Sequence, residues 1–555
     1  MSVAEAGWLQ AGLLVLALAV SYRPLGDYMA HILTSPKHWR AERGFYKLVG
    51  VDGDADQTWG TYVRSMLAIS AVGVLLLYAI LRLQDHLMMS LGMPGMQANL
   101  AYNTAASFVT NTNWQNYSGE NTLGYVAQMS GLAVQNFVSA AVGICLVATL
   151  IRGIVRKQTD RVGNFWVDLT RLNFRLLLPF AFVLAIVLVA AGLPEALGSH
   201  LTTYSTLDGG SQTIYTSATA SQEAIKILGT NGGGIYNANS SHPFENPNGW
   251  VNWLQIYMLL VIGFSLPRTF GKMVGSHKHG YSILAVMATI WVGSAALITW
   301  FEARSWGSAI SLAKSAMEGK EVRFGIPGSS LFTASTTLTS TGAINNAHDS
   351  LTPFGGGMAL FDMMLGEIAP GGTGSGLYGM LILAIVTVFI AGLMVGRTPE
   401  YLGKKIRPAE MKYAALYILA TPAVALIGTG IAMSLPGERA AMLNSGTPHG
   451  LTEVLYAFTS MANNNGSAFA GLSGNTEWWN TAGGIAMLLG RFLPMIFVAA
   501  LAGSLAKQKV TPESAGTLAT HKPLFVGMLL GTVLIVVGLT YFPALALGPF
   551  AEGLK

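Results

Sequence analysis

Charge and cysteine are both scarce in this sequence. Only 11% of the 555 residues are Asp, Glu, Lys or Arg, whereas about a quarter of an ordinary soluble domain is charged. The single cysteine, Cys145, lies inside the apolar run "VGICLVATLI", which excludes a disulfide framework. A net charge of +5 is too small to indicate a nucleic-acid-binding protein. With a mean hydropathy of +0.47, the chain is predicted to be an integral membrane protein.

Long apolar runs are abundant. Ten of them are long enough to cross a hydrocarbon core of about 30 Å. They cover residues 5–23, 62–83, 128–151, 174–194, 251–266, 281–301, 376–396, 413–435, 483–504 and 525–545. The first run follows "MSVAEA", which has no basic residue, so we expect a retained helix rather than a cleaved signal peptide. The predicted fold class is an all-α polytopic membrane protein with ten transmembrane helices.

Lysine and arginine are distributed unevenly between the connections. The basic set, which holds 21 of these residues, comprises 24–61, 151–175, 267–280, 397–412 and 505–524. The other set, which holds six, comprises 84–127, 194–250, 302–375 and 436–482. Because cytoplasmic loops carry the excess of Lys and Arg, we expect the basic set to face the cytoplasm and both termini to face the outside.

Each connection of the second set holds a helix-compatible stretch that is too short to span a membrane. These stretches are "NLAYNTAASFV", "TASQEAIKILG", "SSLFTASTTLTS" and "EVLYAFTSMA". Each leads into a polar cluster: "TNTNWQ", "GTNGGG", "STGAINN" and "NNNGSAF". Aligned on their expected tight positions, the clusters centre on Asn111, Gly232, Gly342 and Gly466, at spacings of 121, 110 and 124 residues.

Repetition at a nearly fixed period indicates a repeat architecture. We expect four pseudo-symmetric units around one pore, each made of a span, a half-helix, a polar loop and a second span. Their predicted ranges are 62–152, 173–272, 281–396 and 413–504. One extra helix is expected at each end, within 1–61 and 525–555.

None of the four polar clusters contains Asp, Glu, Lys or Arg. Half-helices that point their C-terminal ends at a common centre favour a cation there, and rings of backbone carbonyls can replace the hydration shell of K+. Ordinary surface turns are the alternative, but four loops in register favour a filter. The predicted filter residues are Thr110, Asn111, Thr112, Thr230, Asn231, Gly232, Ser340, Thr341, Gly342, Asn464, Asn465 and Gly466. The predicted supporting residues are Asn113, Gln115, Asn239 and Asn463.

Several long strings resemble one known family closely. They are "SFVTNTNWQNYSGE", "SQEAIKILGTNGGGIYNANSSHPFENP", "GEIAPGGTGSGLYGM", "GRTPEYLGKKI" and "NNNGSAFAGL", and they are similar to the A-subunit family (KdpA) of the Kdp potassium-transporting ATPase. The resemblance implies a subunit of the bacterial inner membrane that binds K+ from outside. It also implies three partners: a P-type ATPase B subunit that receives the ion, a C subunit and a small F subunit. One departure is Thr341, where the family pattern predicts cysteine.

The chain lacks the sequences that bind or use ATP. It contains neither G-x-x-x-x-G-K-[ST] nor Asp-Lys-Thr-Gly, so we expect a non-catalytic subunit that binds no nucleotide. A stand-alone K+ channel or an ion-driven K+ symporter of the same superfamily is the alternative. His277 and His279 have no third ligand nearby, so no metal ion other than K+ is expected. The basic string "GRTPEYLGKKI" is expected to contact lipid headgroups or the pump subunit.

Two features inside the membrane are predicted to control the ion path. "LGEIAPGGTGSGLYG" places Glu367 and then Gly371, Gly372 and Gly374 just before the seventh span, and such a run breaks a helix. Arg491 lies in the middle of the ninth apolar run, and an ionisable residue there is a functional hypothesis by default. The alternatives are a solvated loop carboxylate for Glu367 and a structural ion pair for Arg491.

Overall fold

The computed structural model describes residues 3–198, 201–304, 316–394, 396, 398–512 and 517–554. Within these ranges ten helices are long and apolar enough to span a membrane. The predicted number of spans is therefore confirmed. Their bounds are Val3–Thr34, Trp59–Arg82, Ala127–Val155, Phe165–Ala190, Gly249–Met273, His277–Glu302, Ser375–Met394, Pro408–Ser434, Glu477–Ala506 and Pro523–Gly553.

Three of these spans contain a π-helical turn, at Ala127–Ala133, Leu172–Leu177 and Ala546–Phe550. The first span is longer than predicted. It continues through Pro24 to Thr34, whereas the apolar run ends at residue 23. Hydropathy marks only the part of a helix that is uniformly apolar, and the last three turns of this one are mixed.

The four half-helices are Ala98–Val109, Thr219–Leu228, Gly325–Thr337 and Pro448–Asn463. Each lies between two spans, as the repeat pattern predicts. Four further short helices are Arg40–Leu48, Gly119–Thr122, Pro353–Met364 and Pro436–Arg439. Single 3-10 turns occur at Gln84–His86, Asn239–Ser241 and His348–Ser350.

The helix Pro353–Met364 was not predicted. It lies between the third half-helix and the seventh span, and its three consecutive glycines are poor helix formers. Its start nevertheless carries a recognisable signal, because Thr352 caps the helix through the Gly355 N–H and Pro353 occupies the first turn.

Strands are few in the described part of the chain, and they form three antiparallel pairs. Gln57–Thr58 pairs with Arg161–Gly163, Leu201–Ser205 with Ser211–Tyr215, and Glu400–Tyr401 with Lys404–Lys405. The first pair joins two connections and the other two are hairpins within one connection each, so the fold is built by helix packing.

The second span of each repeat forms the inner wall of the molecule. In the third, fifth, seventh and ninth spans, 61–83% of the residues in an apolar 18-residue segment are buried inside the protein. The corresponding share is 22–50% in the second, fourth, sixth and eighth spans. The outer spans expose large apolar side chains such as Leu75, Phe182 and Ile427, as a lipid-facing surface requires. The first span packs on the fifth, and the tenth on the sixth and seventh. The half-helices and their loops are thereby enclosed by protein.

Candidate functional site

The four half-helices end in one common backbone pattern, in which a loop N–H donates to the carbonyl five residues earlier. These bonds join Thr112 to Ser107 (2.9 Å), Asn231 to Lys226 (2.8 Å), Thr341 to Thr336 (3.3 Å) and Asn465 to Ser460 (2.9 Å). The residue before each donor has a positive φ: Asn111 (66°), Thr230 (50°), Ser340 (54°) and Asn464 (59°). Loops 1 to 4, at residues 110–113, 229–232, 339–342 and 463–466, therefore correspond residue by residue.

This register corrects the alignment made from the sequence. The position after each donor is occupied by Asn113, Gly232, Gly342 and Gly466, so Asn113 rather than Asn111 is equivalent to the glycines. Loop 1 has no glycine, and two asparagines two positions apart gave the sequence alignment two choices. Asn113 has a φ of 58°, which asparagine adopts more readily than other non-glycine residues.

The four loops form a closed ring whose order follows the chain. A Cβ built on the glycine of one loop would collide with a carbonyl oxygen of the next: Gly232 with Thr341, Gly342 with Asn465, and Gly466 with Thr112. Loop 2 therefore touches loop 3, loop 3 touches loop 4, and loop 4 touches loop 1. The ring closes where the Asn231 amide donates to Asn111 Oδ1 at 2.6 Å. The loops are enclosed rather than exposed, so they are not surface turns.

The carbonyl oxygens of the last two residues in each loop accept no hydrogen bond from the described part of the chain. No donor among the described residues reaches those of Thr112, Asn113, Asn231, Gly232, Thr341, Gly342, Asn465 and Gly466. Seven of these residues are buried and Gly466 is half-buried. Buried backbone acceptors are nearly always satisfied in folded proteins. Eight orphaned oxygens around one ring therefore form a neutral site that is suited to a cation.

Amide side chains brace loops 1 and 2 against each other. Asn231 Nδ2 donates to the side-chain oxygens of Asn111 and Asn113, at 2.6 and 3.0 Å. Asn111 Nδ2 donates in turn to the Thr230 carbonyl at 2.9 Å, and Asn113 Nδ2 to Asn136 Oδ1 at 2.9 Å. The Nδ2 groups of all three side chains donate to oxygens other than the eight free carbonyls, so they hold the backbone in place while those carbonyls remain free.

The three consecutive asparagines of loop 4 donate in three directions. Their acceptors are the Thr459 carbonyl for Asn463 (3.0 Å), Thr112 Oγ1 for Asn464 (2.9 Å) and the Thr336 carbonyl for Asn465 (3.0 Å). Asn463 thus stays within its own half-helix, while the next two tie loop 4 to repeats 1 and 3. Each amide has a separate structural partner, which explains three of them in so apolar a chain.

A pair of threonines recurs in loops 1 and 3. Thr110 Oγ1 and Thr112 Oγ1 are 2.8 Å apart, and Thr339 Oγ1 and Thr341 Oγ1 are 2.6 Å apart. Thr341 occupies the position where the family pattern predicts cysteine. Its hydroxyl is satisfied by Thr339, and its backbone keeps the common loop register.

Gln115 and Asn239 support the outer rim of the ring. Gln115 accepts from the Gly234 N–H at 2.9 Å and donates to the Gly234 carbonyl at 3.2 Å. Asn239 Nδ2 donates to the Gly233 carbonyl, and its Oδ1 accepts from Lys226 Nζ at 3.1 Å. Both side chains hold the residues that follow loop 2.

Sequence reasoning missed the charged group behind loop 2. Lys226 is fully buried and lies 2.6 Å from Glu223 and 2.7 Å from Glu245. Burying a charge is costly unless it is paired and hydrogen-bonded. The spacing of Glu223 and Lys226, three residues apart on a half-helix, was the available signal.

The break before the seventh span lies directly against the ring. The Gly371 N–H donates to the Leu338 carbonyl at 2.9 Å, and the Thr373 N–H donates to Thr230 Oγ1 at 2.8 Å. A Cβ built on Gly372 would lie 3.0 Å from the Thr339 carbonyl, and one on Gly374 would collide with the Gly143 backbone. Residues 371–374 therefore fill the space between loops 2 and 3 and the third span.

Glu367 is buried, so the solvated-carboxylate interpretation is wrong. It lies beside Ser340 and Asn465, but neither of its carboxylate oxygens has a well-formed hydrogen bond with a described residue. Glu367 lines a cavity of about 90 Å³ together with Asn464 and Arg491. An unsatisfied carboxylate in this cavity favours a cation or water there.

Arg491 is also buried, and it lies on the wall of the same cavity. One of its guanidinium nitrogens donates to the Ser139 carbonyl of the third span at 3.0 Å. No carboxylate of a described residue comes within 4.0 Å of it, so the ion-pair interpretation is also wrong. Glu367, residues 371–374 and Arg491 are thus brought together next to the ring.

Comparison with known proteins gives matches over nearly the whole chain. The family described as the potassium-transporting ATPase A subunit matches residues 12–554. The potassium-transporting ATPase potassium-binding subunits of Mycobacterium avium and Streptomyces griseus are 60% and 58% identical to the chain, each over 100% of both sequences. The potassium transporter TrkH from Vibrio parahaemolyticus has a similar fold, with a TM-score of 0.52 over 88% of this chain and 96% of that one, at 14% identity.

Proposed function

Because the chain belongs to the family of the potassium-transporting ATPase A subunit, we propose that its ring of four loops is a K+ selectivity filter. The observation that supports this best is the set of eight carbonyl oxygens that have no donor among the described residues. The ring itself contains no carboxylate. Neutral carbonyl dipoles suit a monovalent ion that must give up its hydration shell. K+ is then the ion that the filter binds and the chain transports.

The half-helices add to the attraction. Each ends at the ring, so the partially negative C-terminal ends of four helices converge on the proposed ion site. The filter residues are Thr110, Asn111, Thr112, Thr230, Asn231, Gly232, Ser340, Thr341, Gly342, Asn464, Asn465 and Gly466. Asn113 joins them, because it takes the place of a glycine in loop 1.

The path straight through the molecule is proposed to be closed next to the filter. Residues 371–374 and the guanidinium of Arg491 occupy the region that an ion would enter after the ring. A fixed positive charge in a small enclosed cavity repels K+ strongly. Glu367, whose carboxylate lies in the same cavity, offsets part of that repulsion and allows the ion to be passed on to a partner instead of leaking.

The chain is proposed to act as the non-catalytic, ion-binding part of an ATP-driven importer. It would deliver K+ to a P-type ATPase B subunit, in a complex with a C subunit and a small F subunit. The excess of Lys and Arg on one set of connections supports an inner-membrane orientation with both termini outside. The four loops then face the compartment from which K+ is taken up.

A stand-alone K+ channel or an ion-driven symporter remains the second candidate. The fold likeness to a potassium transporter fits either function, because a shared fold does not fix the mechanism. Flux measurements separate them. The wild-type chain alone in liposomes is expected to be tight to K+, and channel-rate flux through it would favour the channel.

The filter proposal is tested with Asp substitutions at the three glycines that touch a neighbouring loop. Gly232→Asp, Gly342→Asp and Gly466→Asp each force a side chain and a charge against a carbonyl. The K+ concentration for half-maximal ATPase activity of the assembled complex should rise at least tenfold, and discrimination against Na+ and Rb+ should weaken.

Gly446→Asp is the matched control. Gly446 has a φ of 84°, close to the 78° of Gly342, but a Cβ there meets no atom within 4 Å. The control variant carries the same backbone strain and charge without the loop contact, so its K+ dependence should match wild type. An unchanged K+ dependence in all three filter variants would refute the filter.

A further inference from the structure

A second cluster of charged side chains lies near the start of the fourth half-helix. His449 is its second residue, and Glu453 follows four positions later on the same face. Asp349 comes from the 3-10 turn that follows loop 3. One ligand atom from each of the three side chains lies within 4.8 Å of the other two. The cluster therefore joins repeats 3 and 4 at a point outside the ring.

The two imidazole nitrogens of His449 both face carboxylates. Nε2 is 3.0 Å from Asp349 Oδ1, and Nδ1 is 3.0 Å from both carboxylate oxygens of Glu552 near the C-terminal end of the chain. A metal-bound histidine almost always donates its other ring N–H to a carboxylate or carbonyl, which fixes the tautomer. Glu552 is placed to accept a hydrogen bond from Nδ1–H, which leaves Nε2 free to bind a metal.

Glu453 supplies the second, independent observation. Its side chain is fully buried, and Oε1 accepts from Asn444 Nδ2 at 2.8 Å. Oε2 is buried and has no hydrogen-bond partner among the described residues. A buried carboxylate oxygen is costly without a partner. It lacks one at a site where an imidazole and a second carboxylate are already in reach.

The charge of the cluster also favours a cation. Asp349, Glu453 and Glu552 surround one imidazole, and no Lys or Arg of the described residues forms an ion pair with any of them. Asp349 is further fixed by the Gly471 N–H, which donates to Oδ2 at 3.1 Å. Three carboxylates around a single histidine leave a net negative charge even when the imidazole is protonated.

We propose that Asp349, His449 and Glu453 bind a divalent transition-metal ion such as Zn²⁺, with Glu552 accepting a hydrogen bond from the Nδ1–H of the metal-bound imidazole. Imidazole nitrogen and carboxylate oxygen are both ligand types that zinc accepts, and a water molecule would complete a four-coordinate site. Bonds of about 2.0–2.1 Å place tetrahedral ligands roughly 3.3 Å apart. The observed 3.0 Å between Nε2 and Oδ1 is close to that value, and Glu453 has to approach by a small side-chain movement.

The metal would connect three parts of the chain that are distant in sequence. It would hold the beginning of the fourth half-helix to the segment after loop 3, and through Glu552 to the end of the tenth span. Without metal, the imidazolium form of His449 holds Asp349 and Glu552: although burial opposes the charge, the hydrogen bonds that the ring donates to these two carboxylates raise the pKa of His449 to about 10.

The test is Zn²⁺ binding to the purified full chain after treatment with a chelator. Wild type is expected to bind one Zn²⁺ per chain at micromolar concentration or tighter by calorimetry, and Zn²⁺ should raise its thermal unfolding midpoint. His449→Gln and Glu453→Gln should abolish both effects. Glu552→Gln, which changes only the outer partner, should weaken binding about 10- to 100-fold. Glu477→Gln, at an exposed carboxylate on the ninth span, is the control and should bind as wild type.

Two results would overturn the proposal. One is a wild-type chain that takes up no Zn²⁺ at tens of micromolar, in which case the cluster is an imidazolium held by carboxylates. The other is binding that survives in both His449→Gln and Glu453→Gln. Because Glu552 is partly exposed near the chain end, its variant should fold even if the Glu453 variant does not, so the tenfold or larger loss remains measurable.

Discussion

A positive charge at position 115 should repel K+ from the mouth of the proposed filter. Gln115 Oε1 lies 2.9 Å from the position a Cβ on Gly233 would occupy, and that same position is 2.9 Å from the Asn113 carbonyl. The Gln115 side chain is therefore beside one of the free carbonyls. In Gln115→Arg, the guanidinium replaces a neutral amide at this point of the rim.

The size of the effect follows from Coulomb's law. Two unit charges about 7 Å apart repel by ~0.6 kcal/mol at the permittivity of water and by ~2.4 kcal/mol at an effective value of 20. The K+ concentration for half-maximal ATPase activity of the complex should therefore rise between about threefold and about fiftyfold. The increase should shrink as ionic strength rises, because salt screens exposed charges.

Gln115→Met is the control that separates the effect of the added charge on K+ dependence from the effect of lost hydrogen bonding. Both variants lose the bond that Gln115 accepts from the Gly234 N–H, which contributes about 0.5–1.5 kcal/mol, but only the arginine adds a charge. The measurement is K+-dependent ATPase activity at low and at high ionic strength for wild type and both variants. If arginine and methionine give the same K+ dependence at low ionic strength, Gln115 does not lie on the path of the ion.

The remaining predictions concern the closed path and a buried ion pair. In liposomes that contain Arg491→Met or the deletion of residues 371–374, K+ should leak through the protein with the selectivity of the filter retained. If both variants stay tight to K+ and keep ATP hydrolysis coupled to transport, these two features have only a structural role. Glu42→Gln should lower the free energy of unfolding by about 3 kcal/mol or more, because Glu42 accepts two hydrogen bonds from Arg175. Although burial opposes it, Arg175 lowers the pKa of Glu42, so this stabilisation is present above pH ~4.3 and is lost as pH falls through the lowered value. The difference between wild type and Glu42→Gln in thermal unfolding should therefore disappear in acid, and a difference independent of pH would contradict this ion pair.

The architecture could be predicted because it depends on the average composition of whole segments rather than on individual contacts. A span needs only enough consecutive apolar residues, and a half-helix needs a shorter amphipathic stretch followed by small polar residues. The helix Pro353–Met364 was not predicted because its glycines lower the helix propensity of the segment, and its stability comes from burial between other elements.

The details of the ring could not be predicted, since they depend on contacts between distant segments. Asn111 and Asn113 both fit a tight position by residue type, and they are separated only by the backbone pattern shared with the other loops, in which Thr112 donates to Ser107 and the residue before it has a positive φ. The same holds for Arg491. Its place in the sequence suggests a buried cation, but whether it meets a carboxylate depends on which helices pack against it.

The ring is made of four loops that belong to one chain and are not identical. In a channel built from four copies of one subunit, a single codon change alters every quarter of the filter at once. In this chain a codon change alters only one quarter of the filter. The four equivalent positions already differ, since loop 1 has an asparagine at position 113 where loops 2, 3 and 4 have glycines at 232, 342 and 466. Each quarter can therefore change independently, so the ion preference of the whole ring can be adjusted in small steps.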